Sequence, residues 1–370
     1  MSKLDKLIKE LCPDGVEWKK ISDICKISRG IVISKDDIRN NIGEYPVYSS
    51  QTENNGELGK ISTFAYDGEY LTWTTDGANA GTVFYRTGKF NVTNVCGLLK
   101  IAKSEYSSRY VYHILRVEAP KFVRSGMGNP KLMSNVMGDI QIPLPPLPVQ
   151  REIVRILDNF TELTAELTAE LTAELTDRKK QYEYYRDSLL TFGDEVEWKT
   201  LVDVLKIKNG KDYKQFKEGN VPVYGSGGVI AYIDTFVLDK PSVLIPRKGS
   251  IDKLYYIDIP FWTVDTIFYT EIYTNVVIPK FVYYYLQKEH LEQYNTAGGV
   301  PSLTQTIINR IPFPIPSLAE QQRIVDILDR FDSLCNNIST GLPAEIDERQ
   351  KQYEYYRDKL LTFTNVNTEV

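Results

Sequence analysis

The residues of this chain best suited to chemistry lie in short polar stretches that interrupt apolar, aromatic-rich runs. Ser50-Gln51-Thr52-Glu53-Asn54-Asn55-Gly56 and Thr74-Thr75-Asp76-Gly77-Ala78-Asn79 are rich in amides and hydroxyls. Side-chain amides match the edge of adenine, so Gln51, Asn54, Asn55 and Asn79, with Thr74 and Thr75, are candidates for reading base edges. Pro246-Arg247-Lys248-Gly249-Ser250 offers different chemistry. There Arg247, Lys248 and Ser250 suit guanine or phosphate. Arg124, Lys131, Lys211 and Lys214 could hold a phosphate backbone. For each residue the alternative is a solvated loop side chain.

Residues for catalysis are scarce. The chain has two histidines, His113 and His290. His113 sits in a helical pattern where a later copy of that pattern has Tyr284, which favours packing over a role as base. No GxxxxGK[ST] phosphate loop is present. Asn129-Pro130-Lys131-Leu132 lacks the second proline and the aromatic of the Asn-Pro-Pro-aromatic motif of amino-methyltransferases, and reads as a loop. The four cysteines are scattered without a CxxC pair, as reduced thiols rather than a zinc site or a disulfide frame. The expectation is a chain that is not an enzyme and holds no catalytic residue, cofactor or metal of its own.

What positions the loops is a duplication. Gln150–Phe160 (QREIVRILDNF) returns as Gln321–Phe331 (QQRIVDILDRF), and Lys180–Asp187 (KQYEYYRD) returns as Lys351–Asp358, both at an offset of 171 residues. One element used twice explains so long a shared register. Ile153, Val154, Ile156, Leu157, Phe160 and Leu163 form a helical stripe. No Gly or Pro interrupts Gln150 to Phe192, so a helix there would span about 65 Å. Such a length needs a partner, and the obvious one is its own copy. Within it Thr-Ala-Glu-Leu repeats three times between Thr164 and Thr176. Leucines spaced by four drift by about 40° per repeat. The matching apolar positions of the second copy are Leu334, Ile338, Leu342 and Ile346. That copy also carries Gly341 and Pro343, which predict a break followed by a helix restart. The repeat is either plain spacer helix or a ruler whose length sets the distance between its ends.

With 370 residues, the chain is long enough for two or three domains. Residues 1–149 form a first domain, opened by a short helix over 1–14, and 150–193 the first long helix. Residues 194–320 form a second domain, and 321–370 the second long helix and tail. Val16-Glu17-Trp18-Lys19 and Val196-Glu197-Trp198-Lys199 begin the two domains alike, and Pro46-Val47-Tyr48 and Pro222-Val223-Tyr224 continue the parallel. Each reads as a mixed, mostly β domain closed by a proline-rich connector. The loops at 50–56 and 74–79 have no evident counterpart in the second domain. Ser317 and Glu320 form a capping-box pattern before the second helix. The class is α+β.

The net charge of −5 argues against a nucleic-acid partner, but its distribution softens this. Residues 15–149 hold 16 basic against 13 acidic side chains, 150–194 hold 6 against 10, and 195–320 hold 13 against 14. The acidity lies in the helices, which leaves a local basic surface open on the domains. The Tyr clusters, Tyr182, Tyr184 and Tyr185 with Arg186 and Tyr353, Tyr355 and Tyr356 with Arg357, favour packing or contact with a partner subunit over base stacking. No apolar run reaches membrane-spanning length and no signal peptide opens the chain, which points to the cytoplasm and no membrane partner.

The order domain, long helix, domain, long helix resembles the specificity (S) subunit of type I restriction–modification systems. Gln150–Phe160 and Gln321–Phe331, each after a proline-rich lead-in, and Lys180–Phe192 and Lys351–Phe363 carry the resemblance. It implies two target-recognition domains, each reading half of a bipartite, asymmetric double-stranded DNA sequence. It also implies two long antiparallel coiled-coil helices holding them apart as an internal pseudo-twofold repeat. Two methyltransferase (M) subunits would dock on the chain and restriction (R) subunits would join, with S-adenosylmethionine, ATP and Mg on those partners. Half-sites a helical turn apart require readers about 35 Å apart. One repeat unit adds about 6 Å of helix, against about 3.4 Å per base pair, so losing one unit should shorten the spacer by one or two base pairs. The competing expectations are a coiled-coil scaffold that binds only protein, which the overall acidity favours, and a self-contained methyltransferase.

Overall fold

The computed structural model describes residues 2–125, 128–295, 298–336 and 341–366. The chain divides into two compact units, Met1–Thr168 with Glu348–Val370, and Ala169–Asp347. The sequence division set each long helix apart as a segment of its own. In the structure each unit instead takes part of each.

In the first unit, α1 (Lys3–Leu11) opens on a reciprocal cap. Ser2 Oγ accepts from the Asp5 amide, and the Asp5 carboxylate accepts from the Ser2 amide. Leu4 is buried and Leu7 and Ile8 pack on the core, while Leu11 is exposed. There follow β1 (Glu17–Lys20), α2 (Ile21–Ile24), β2 (Cys25–Arg29), α3 (Lys35–Asn40), β3 (Ile42–Tyr48), β4 (Glu57–Ile61), β5 (Tyr66–Asp67), β6 (Tyr70–Thr74), β7 (Val83–Arg86), β8 (Lys89–Val92), β9 (Cys96–Ile101), α4 (Ser108–Glu118), α5 (Ser134–Asp139) and β10 (Gln141–Leu144). The strands form a sheet ordered β2-β9-β6-β7, a second ordered β4-β3-β8-β5, and the pair β1-β10. The proline-rich lead-in, expected as an extended connector, runs as a strand over Gln141–Leu144. Pro143, with no N–H to donate, sits opposite Trp18 in a two-stranded ladder where edge prolines are tolerated.

Next, α6 (Leu147–Leu189) runs for 43 residues, about 65 Å of helix. It starts before Gln150 because Pro148 is compatible with a first turn. It stops short of Phe192. Along the repeat the drift of the leucine stripe is visible: Leu163 is exposed and Leu171 buried.

The second unit continues with β11 (Glu197–Thr200), α7 (Leu201–Val204), β12 (Leu205–Asn209), β13 (Glu218–Gly225), β14 (Gly228–Ile233), β15 (Ser242–Pro246), β16 (Tyr255–Ile257), β17 (Trp262–Thr263), β18 (Ile267–Ile272), α8 (Pro279–Lys288), α9 (Gln305–Asn309) and β19 (Pro312–Ile315). Its sheets are ordered β12-β18-β15-β16 and β14-β13-β17, with the pair β11-β19 placing Pro314 opposite Trp198. This is the strand order of the first unit, except that β14-β13-β17 has no counterpart of β5 among the described residues.

The chain ends with α10 (Leu318–Asn336) and α11 (Leu342–Leu361). Half of the expected capping box forms: Ser317 Oγ accepts from the Glu320 amide at 3.3 Å, but the Glu320 carboxylate turns to Arg323 instead. α11 restarts at Leu342 with Pro343 in its first turn, as expected; Ile338 lies outside the described residues. Leu360, Leu361 and Phe363 return to the core of the first unit, and Val16 and Thr364 are bonded through their backbones at 2.9 Å.

Each domain is bolted to its helix in the same way. Buried Gln150 accepts from the Ser107 amide at 2.8 Å and donates to Pro145 O at 2.8 Å. Buried Gln321 accepts from the Ile278 amide at 2.8 Å and donates to Pro316 O at 2.9 Å. Asp158 meets Arg109 and His113 on α4, and Asp329 meets Lys280 and Tyr284 on α8. Buried amides that would otherwise be orphaned gain partners at these points.

Candidate nucleic-acid interface

The loop between the paired strands β6 and β7 carries Thr75–Thr82, and its backbone is clamped from two sides. The Thr75 amide donates to Val95 O at 3.1 Å, the Leu132 amide to Thr75 O at 3.0 Å, and the Gly77 amide to Pro130 O at 3.0 Å. In the second unit the Arg247 amide donates to Thr266 O at 3.0 Å, the Leu303 amide to Arg247 O at 2.9 Å, and the Gly249 amide to Pro301 O at 3.0 Å. The bond pattern is the same. Thr75-Asp76-Gly77 therefore has a counterpart in Arg247-Lys248-Gly249, contrary to the sequence expectation. The correspondence sits at an offset of 172, one residue out of step with the helices.

Position for position, the two clamps present different side chains. In the first, Asp76 pairs across a β-bridge with Lys131, Nζ to Oδ2 at 3.5 Å, and both stay substantially exposed. Arg124 forms a second bridge with Lys131, and Asn79 is exposed at the loop tip. In the second, Lys248 bridges Ser302, whose amide is held by Asn295 Oδ1 at 3.0 Å. The half-buried Arg247 guanidinium lies 5.3 Å from the Phe268 ring centre. Lys248 is exposed and Ser250 half-buried in the same loop. Lys211 and Lys214 are exposed on a separate loop, where the backbone carbonyl of Lys211 accepts from Trp262 Nε1 at 2.9 Å.

Two sequence candidates, Thr74 and Thr75, drop out. Thr74 and Thr75 are buried inside the domain, and Thr75 Oγ1 donates to Val95 O at 2.8 Å. Thr74 ends a core strand and Thr75 follows it into the loop, and both hydroxyls face inward. Gln51 donates to Glu57 O across its own turn. Asn54 and Asn55 are exposed with φ of +48° and +53°, followed by Gly56 at +78°. Asn tolerates the left-handed region, so turn geometry accounts for both residue types.

One buried group escaped sequence reasoning. Arg86 lies under the 50–56 loop, its guanidinium 3.5 Å from the Tyr48 ring centre, and its Nε donates to Thr72 at 3.2 Å. Burial pulls its pKa down to about 10. Its second-unit counterpart is the apolar Ile257. Only strand register, invisible in the sequence, pairs the two positions.

On the helices the two Tyr clusters match in exposure: Tyr182 and Tyr353 both 8%, Tyr185 and Tyr356 both 43%, Tyr184 70% and Tyr355 63%. Tyr182 donates to Gln287 at 2.9 Å, and the Tyr353 hydroxyl meets that of Thr161 at 3.0 Å. Arg186 is buried on Asp187, and Arg357 pairs with Asp358. Tyr182, Tyr353 and Arg186 are therefore packing residues rather than free contacts for a partner. The rings of Tyr185 and Phe331 stack at 5.5 Å within the second unit, and those of Phe160 and Tyr356 meet at 6.2 Å within the first. Both members of one contact are the sequence copies of the other.

The family described as type I restriction modification DNA specificity domain matches residues 13–177 and 193–348. A Mycoplasma pneumoniae protein named as a type I specificity subunit is 35% identical over 362 residues, which cover 92% of this chain and 96% of that one. The specificity subunit of the type I restriction enzyme MpnII, from the same organism, is 45% identical over 179 residues, 48% of this chain and 54% of its own length. Among solved structures, the S subunit of a type I restriction–modification system from M. genitalium superposes with a TM-score of 0.53 at 18% identity, covering 94% of this chain and 96% of that one. A chain from a type I system solved to describe complex assembly and conformational transition reaches 0.69 at 16% identity, covering 95% and 98%. At such identities the likeness is one of fold. With the family match over both halves and a full-length relative, the chain belongs to the DNA specificity subunits of type I restriction–modification systems.

Proposed function

We propose that each unit reads one half of a bipartite, asymmetric double-stranded DNA target, and that the catalysis this recognition directs resides in partner subunits. The carrying observation is the doubled backbone clamp, which offers an acid–base pair in one unit and a basic residue beside a hydroxyl in the other. One scaffold presenting two chemistries suits two unlike half-sites. The two long helices pair antiparallel as a coiled coil in this reading and relate the halves by a pseudo-twofold axis. The matched Phe160–Tyr356 and Tyr185–Phe331 contacts support it.

Two methyltransferase subunits dock on this frame and restriction subunits join them, bringing S-adenosylmethionine, ATP and Mg. Exposed Tyr184 and Tyr355, at matching places on the helices, fit a twofold set of partner contacts. The complex works in the cytoplasm, where its DNA is; no described helix is long and apolar enough to cross a membrane.

The test is co-expression with the methyltransferase subunit in a host free of other adenine methylation, followed by sequencing of modified bases. The expected result is a two-part motif with a fixed gap, and exchanging residues 15–149 should change one half only. A stable complex that methylates no such motif would refute the reading. Deleting one Thr-Ala-Glu-Leu unit should shorten the gap by one or two base pairs, and an unchanged gap would refute the ruler.

A further inference from the structure

We infer that Asp76 with Lys131 in the first unit, and Lys248 beside Ser302 in the second, are equivalent base-reading positions, the first selecting a C·G pair and the second a guanine. The inference rests on the DNA-reading role proposed above and adds which residues set the bases and which bases they take.

The equivalence comes from the backbone. Asp76 and Lys248 occupy the middle of the same clamped triplet, each bridged antiparallel to the residue after a loop proline, Lys131 after Pro130 and Ser302 after Pro301. The clamp bonds hold this stretch of loop to a strand end and to a second loop, so the side chains project from a fixed frame rather than a free tip. Preorganised presentation of this kind is what a reading position needs.

The chemistry then separates the units. In the major groove cytosine offers its N4 amine as donor, while its partner guanine offers O6 and N7 as acceptors. A carboxylate and an ammonium side by side present the complementary acceptor and donor. Asp76 and Lys131, 3.5 Å apart with about 38% and 51% of their side chains exposed, can engage both bases of one C·G pair without leaving either charge unpaired. Lys248 has no carboxylate across its bridge. Ser302 stands in that place, so no carboxylate across the bridge competes with guanine for the ammonium, and the hydroxyl can serve either base.

The test uses the full chain in its methyltransferase complex, read by modified-base sequencing. Asp76→Asn should relax one C·G position in one half-site, with preference falling roughly five- to a hundredfold, and leave the other half and the gap untouched. Lys248→Gln should relax one guanine in the other half. The double variant Lys248→Asp/Ser302→Lys transplants the first unit's pair, and it should replace that guanine requirement by cytosine on the same strand. If all three variants methylate the wild-type motif with undiminished preference, the inference is wrong while the wild-type motif still supports the two-reader role. Absence of any two-part motif in the wild type would instead refute that role. Should a variant complex methylate nothing, competition binding decides. Lost discrimination between cognate and single-substituted duplexes, with salt-dependent nonspecific affinity retained, supports the assignment. Equal weakening on both duplexes overturns it.

Discussion

The two units fill the same layer of the same sheet in opposite ways. In the first, Trp73 on β6 lies across from Gly97 on β9, fully buried, its Nε1 donating to Leu132 O at 2.9 Å. In the second, Ile245 on β15 lies across from Phe268 on β18. Large opposite none has become medium opposite large. A Cβ at Gly97 would come within 2.0 Å of the Trp73 ring, so glycine is obligatory there while tryptophan stays. The two halves share a frame but not a core, and each core is a solution by pairs of residues rather than by positions.

The largest effect is expected from Gly97→Phe alone, which should destabilise the first unit by about 3 kcal/mol or more through overpacking. Trp73→Ile on top should restore a large part, with a coupling of up to about 3 kcal/mol in a double-mutant cycle. Hydrogen exchange read separately in β9 and β18 would check it; additive effects would show that the swap is not compensatory. Next in size, Gln150→Ala and Gln321→Ala should each cost about 2 kcal/mol in their own unit, because each strands a buried backbone amide and a carbonyl. Unequal costs would show that the two bolts are alike in geometry only. Tyr353→Phe and Tyr182→Phe should cost about 1 kcal/mol apiece for one lost hydrogen bond, measurable by chemical denaturation.

The smallest effect separates the units by pH. Burial holds the His113 imidazole below its ordinary value of 6.5, with the Asp158 bond opposing. The unfolded chain then takes up a proton that the folded unit refuses. The stabilisation is present above 6.5 and declines as pH falls below it toward the folded value. The matching Tyr284, its pKa raised by burial and by Asp329, stays protonated throughout this range. Exchange of α4 amides should therefore quicken between about pH 7.5 and 5.5 relative to α8, and His113→Tyr should remove the difference.

The frame was legible because helices tolerate no slippage: Gln150 and Gln321, Phe160 and Phe331, and both Tyr clusters keep one offset from end to end. The strand order was not, because the offset shrinks from 180 at Trp18 and Trp198 to 176 at Pro46 and Pro222, then to 172 at Asp76 and Lys248. That last step hid one loop behind the other. Composition also misled where a polar residue serves the backbone. Thr74 and Thr75 look like surface hydroxyls but lie buried where a core strand ends and its loop begins, and Asn54 and Asn55 mark left-handed turns. Tyr182 and Tyr353 look like their exposed neighbours, and helical phase alone sets them inside.

The return of Leu360, Leu361 and Phe363 to the first core has a consequence for biosynthesis. Domains ordinarily fold in order of synthesis. Here the second unit holds all its residues once Asp347 has been made, whereas the first still lacks Glu348 onward. At about 5–20 residues per second, the first-made half waits on the ribosome for tens of seconds with one wall of its core absent. A segment translated after the whole second unit therefore sets the moment at which the first unit becomes whole.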